Sequence, residues 1–142
     1  MQPRAPPPPA PASLAAAVQL LAPLALSGSL VLALSDFAGL PEEPESDWLR
    51  LAAHAECRLY WITDALEERG LPDGRFRGGV PGRLRPFDGG EVRARWLAGW
   101  RRRADSVQRL ADRLRTQPVR LDTKDVVEQV LPPLLRAPQF AA

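Results

Sequence analysis

The apolar positions between residues 47 and 69 recur at steps of three and four. Trp48, Ala52, Ala55, Leu59, Ile62 and Leu66 make one stripe at 100° per residue, which predicts an amphipathic helix over 47–69. Ser46 offers its side-chain oxygen as N-cap, Glu42, Glu43, Glu45 and Asp47 suit the positive end of the helix dipole, and Gly70 is a natural stop. His54, Cys57 and Trp61 fall together on the opposite side of that helix, so the pattern makes it apolar on two sides.

Residues 90–116 repeat the helical period. Val92, Trp96, Trp100, Val107, Leu110, Ala111 and Leu114 share one side, and Arg95, Arg101, Arg102, Arg109 and Arg113 share the other. Arg103 points into the apolar stripe, where it must snorkel or meet a carboxylate from the preceding segment, such as Glu56, Asp64, Glu67 or Glu68.

From Ser13 to Ser35 no residue is charged, and 16 of the 23 positions are Leu, Val or Ala. Pro23 interrupts this run and Ser27, Gly28 and Ser29 dilute its second half, which fits two short core helices meeting at a kink. The length also meets the threshold for a membrane anchor, and a cleaved signal peptide is a third reading. Residues 70–90 hold seven Gly and three Pro, which predicts a long irregular loop. Asp122 can cap a short helix over 122–131 carrying Val126, Val127, Val130 and Leu131, ended by Pro132 and Pro133. With no run read as an alternating strand, the expected fold is all-α. It is a small irregular bundle of about four helices near 13–38, 47–69, 90–116 and 122–131. A Pro-rich arm over 1–12 precedes the single domain of 13–131, and an extended tail over 132–142 follows it.

Composition changes this picture mainly through charge. The net charge of +2 conceals a division: residues 1–74 carry four Arg against ten carboxylates, 75–115 carry twelve Arg against four, and 116–142 balance at three against three. The basic segment can bind a polyanion through Arg75, Arg77, Arg83, Arg85, Arg95, Arg101, Arg102 and Arg109, or it can answer the acidic half of the same chain. The run Arg75-Phe76-Arg77-Gly78-Gly79 has the composition of arginine-glycine segments that coat single-stranded RNA. Lys124 is the only lysine, so Arg supplies 18 of the 19 positive charges.

Candidate chemistry is sparse. One Cys and one His cannot make a four-ligand zinc site, and Cys57 with His54 three positions earlier lacks any marked orienting group for a nucleophile. No catalytic, metal-binding or cofactor-binding residue is expected. Cys57 and Trp61 on the second apolar side, with Leu134, Leu135 and Phe140 in the tail, are the candidate partner-binding residues. The expected function is that of a non-enzymatic accessory or interaction subunit, cytoplasmic, with protein partners or further copies of itself. A nucleic-acid-binding helical protein and a protein anchored in the membrane through 13–35 are the alternatives.

Overall fold

The computed structural model describes residues 13–42 and 45–125. They form an α/β structure rather than a helical bundle, with a three-stranded parallel sheet, a separate antiparallel hairpin, and helices between. The element order is α1 (Leu14–Leu21), β1 (Ser29–Ser35), a single 3-10 turn at Leu40–Glu42, α2 (Ser46–Ala52), β2 (Ala55–Thr63), α3 (Ala65–Arg69), β3 (Arg75–Val80), β4 (Arg83–Asp88), α4 (Gly89–Arg113) and β5 (Val119–Asp122).

The helix expected over 47–69 is three elements. Its stripe of Ala55, Leu59 and Ile62 fits a helical period, but Ala55, Cys57, Leu59, Trp61 and Thr63 equally fit a period of two, and those five are the buried face of β2. Tyr60, Trp61, Ile62 and Thr63 are strand formers, and a central strand buried over most of its length shows little polar alternation to read. The break falls at His54, whose amide donates to Leu51 and whose carbonyl accepts from Gly28. Asp64 then caps α3, accepting from the Leu66 amide at 2.8 Å.

The uncharged 13–35 segment divides likewise. Its first part is α1, capped by Ser13. Its second part is not a helix but β1, reached through a turn in which Gly28 has φ 84. Among the described residues no helix is long and apolar enough to cross a membrane.

The Gly/Pro-rich stretch 70–90 is mostly a hairpin. Arg75 pairs with Asp88 and Val80 with Arg83, leaving Pro81-Gly82 as a two-residue turn. Pro81 presets its own φ, and Gly82 supplies the positive φ of 84 that the following position of a type II turn requires. Phe76 and Phe87 stack across the hairpin at 5.9 Å. The expected fourth helix fails at its start, because Asp122 ends β5 and turns through Thr123 and Lys124; residues 126–131 lie outside the described residues, as do the 1–12 arm and the tail with Leu134, Leu135 and Phe140. The third helix stands as expected, in α4.

The sheet order is β1-β2-β5, all parallel, with Ser29 opposite Ala55, Ser35 opposite Trp61 and Tyr60 opposite Val119. One face carries the core. Ala33 of β1 and Ala55, Cys57, Leu59 and Trp61 of β2 pack with Val18 of α1, Trp48 and Leu51 of α2, and Val107, Leu110 and Ala111 of α4. Helices and sheet therefore make two layers. The opposite face has no layer of described residues over it.

Candidate functional site

Alternation along β1 sends Val31 and Ala33 toward the helices and Leu30, Leu32 and Leu34 to the other side, where they are 50%, 46% and 55% exposed. Ile62 and Val119 continue this bare face across β2 and β5. Its two charged groups neutralise one another, since Arg58 Nε donates to Glu56 Oε1 at 2.8 Å; that bond raises the Arg58 guanidinium pKa further. Of this face only Tyr60 is buried. Parallel strands are ordinarily covered on both faces, so five exposed branched apolar side chains on one face are an unmet requirement.

The edge of β1 is equally open. Its other neighbour is β2, and no described strand pairs with its outer side. Edge strands usually carry Lys, Pro or a bulge that discourages pairing. β1 reads Ser-Leu-Val-Leu-Ala-Leu-Ser and has none of these. On the helix side of the same edge, Leu21, Leu24, Ala25, Ser29, Val31 and Leu51 line an apolar hollow of about 180 Å³. Apolar surface thus wraps the edge on both sides. The seven residues are also almost a palindrome centred on Leu32. Antiparallel pairing with the same strand of another molecule sets Leu30 against Leu34, the larger Val31 against the smaller Ala33, and Leu32 against itself.

A second feature lies on α4. The helix packs its carboxyl-terminal part on the sheet through Val107, Leu110 and Ala111, but the start of its apolar stripe is uncovered: Trp96 is 39% exposed and Val92 is half-buried. There, two hollows of about 280 and 290 Å³ adjoin. The first lies between α4 and Glu67 of α3, the second between α4 and the Ala38–Glu42 segment that follows β1. Gly99 and Arg103 line both. Both walls come from segments leaving the carboxyl ends of parallel strands, the side of an open α/β sheet where ligands ordinarily sit. The segment after β1 is conformationally constrained: Phe37 has φ 53, sparsely populated for a bulky residue, and is held there by burial and by its amide donating to Ser35 Oγ at 3.0 Å.

The structure disperses the candidate polyanion-binding arginines. In the hairpin, Arg75 and Arg77 lie on one face and Arg83 and Arg85 on the other, so the four do not make one patch. Arg95 lines the first of the two α4 hollows and Arg102 the second. Arg101 is exposed on α4 without a described ion-pair partner, and Arg109 donates to Ser106 Oγ at 2.8 Å. Much of the remaining basic charge answers the acidic half of the chain. Arg103 pairs with Glu67 at 3.0 Å, Arg93 with Asp73 at 2.7 Å and Arg113 with Glu45 at 2.5 Å. Arg120 of β5 grips Glu68 at 2.6 Å and sits about 6 Å over the stacked rings of Trp61 and Trp100.

Cys57 and Trp61, expected at a partner surface, are buried within this chain's own core on the covered face of β2. Burial, with the Glu56 carboxylate nearby, pushes the Cys57 thiol pKa up and keeps it un-ionised. Among the described residues no cluster of His, Cys, Asp and Glu could hold a metal ion. Sequence reasoning missed the Leu30, Leu32 and Leu34 edge because every position in the strand is apolar or small; its self-complementary order was the signal present. Comparison with protein-family models, with curated proteins and with solved structures finds no match.

Proposed function

We propose that this protein is a self-assembling interaction subunit, and that its assembly edge is β1 paired antiparallel with β1 of a second copy. The observation that carries the reading is the nearly palindromic, uncharged sequence of an edge strand that pairs with nothing on its outer side among the described residues and whose flanks are apolar on both sides. Pairing two strands about a two-fold axis satisfies the free backbone groups of both. It sets Leu30, Leu32 and Leu34 of each copy against Leu34, Leu32 and Leu30 of the other, so that six leucines form one ridge. A charged edge would face its own charge across the axis; β1 has no charge to repel. The edge of β5, by contrast, presents Arg120 and Asp122.

The test is sedimentation equilibrium on the purified chain and on Leu32→Glu. Leu32 is 46% exposed in a single copy, so the substitution leaves the core intact while placing two carboxylates face to face at the axis. The wild type is expected to be a dimer and the variant a folded monomer. A wild-type monomer, or a variant that still dimerises, contradicts the proposal.

A further inference from the structure

We infer that the α4 cleft is a binding site for a small aromatic anion, a flat ring bearing a phosphate, which is independent of the assembly edge. A glycine inside a helix costs about 1 kcal/mol relative to alanine, and here neither φ nor crowding requires one: a Cβ built on Gly99 would meet nothing within 4 Å. What it does provide is room, because it lines both hollows and a side chain there would project into open space.

The side chains around Gly99 divide by chemistry. At 100° per residue, Arg95 and Arg102 project within about 20° of each other on one flank of Gly99, and Trp96 projects about 60° away on the other. The Trp96 indole is fixed by its N–H donating to the Glu67 carbonyl at 3.1 Å, leaving ring surface exposed for stacking. Glu67, the carboxylate of the first hollow, is occupied by Arg103, and Glu42 is the carboxylate that lines the second hollow with Arg102; Arg95 and Arg102 have no ion-pair partner among the described residues. A fixed aromatic face with one guanidinium in its own hollow and another in the adjoining one suits a ring with an attached phosphate. Each hollow has room for a group the size of one ring or one phosphate.

The probes are AMP, adenosine and inorganic phosphate, each followed by isothermal titration against the full chain. AMP is expected to bind, with adenosine and phosphate each at least tenfold weaker, and AMP affinity should fall with added salt. Gly99→Leu, which fills that room, and the Arg95→Gln, Arg102→Gln pair should each weaken AMP at least tenfold. Gly99→Ala should raise the melting temperature, confirming that the glycine serves no folding need. No AMP binding at millimolar concentration overturns the inference, as does binding indifferent to these substitutions or adenosine or phosphate binding as well as AMP. Dimerisation should be the same in all of these variants, so failure here is separate from failure of the assembly edge.

Discussion

Leu110 has no exposed surface, and it joins α4 to the sheet core alongside Val107 and Ala111. Truncating it leaves a cavity that rigid neighbours only partly fill, so Leu110→Ala should cost about 2–5 kcal/mol in urea unfolding. An effect below about 1 kcal/mol would mean that α4 does not close the core. Cys57 provides a different probe. Its thiol is buried and its pKa raised by desolvation, so alkylation in native buffer should proceed only through unfolding, at a rate that rises with denaturant. Rapid labelling of the native chain would contradict the burial of β2. Such single residues were partly legible in the sequence. The need of Arg103 for a carboxylate was readable from its place inside an apolar stripe, and Glu67 fills it. The unusual φ of Phe37 was not, because nothing in Asp36-Phe37-Ala38 marks a left-handed residue; only burial of the ring makes that conformation tolerable.

At the scale of elements, helices read well only where they are long and capped. α4 has both properties, with Asp88 accepting from the amides of Gly90 and Glu91. β2 did not read as a strand because Ala55 and Leu59 satisfy both periods while Ile62 completes only the helical one, and the choice between them is made by the neighbours β1 and β5, which a local pattern does not contain. The hairpin was hidden by its glycines, although Pro81-Gly82 is a turn signal; Gly82→Ala should strain the turn by about 1–2 kcal/mol. Hydrogen exchange should then quicken at the paired amides of Arg75–Asp88 and leave the α4 amides between Val107 and Ala111 unchanged. Loss of protection in both would show that hairpin and core unfold as one unit. β5 is held to α3 by charge: the Glu68 carboxyl is lowered by Arg120, and the Asp64 carboxyl by hydrogen bonds from the Thr123 hydroxyl and the Leu66 amide. A carboxyl with a depressed folded pKa contributes stability that is present above its ordinary range and lost as pH falls through the folded value. Protection of the β5 amides should accordingly decline below about pH 4. Glu68→Gln should remove part of that pH dependence and Leu110→Ala none of it.

For the whole molecule, the separation of charge along the chain is answered inside the fold only in part. Pairs from Arg93, Arg103 and Arg113 to Asp73, Glu67 and Glu45 bind the basic segment to the acidic one, while the hairpin arginines, Arg101, and Arg95 and Arg102 at the cleft have no ion-pair partner among the described residues. The uncharged 13–35 segment is resolved only in part, as α1 and the covered half of β1 enter the core while Leu30, Leu32 and Leu34 remain outside. The proposed two-fold about Leu32 accounts for that remainder, and cysteine crosslinking tests it position by position. In a Cys57→Ala background, Leu32→Cys faces its own copy at a Cα separation of about 4.5–5.5 Å, within disulfide reach. Leu30→Cys in the same background faces Leu34 of the other copy and lies about 14 Å from its own counterpart. Under mild oxidation the Leu32→Cys protein should become a covalent dimer while Leu30→Cys alone stays monomeric on a non-reducing gel, and Leu30→Cys combined with Leu34→Cys should crosslink again. Equal crosslinking at 30 and 32, or none at 32, would contradict pairing of β1 with itself.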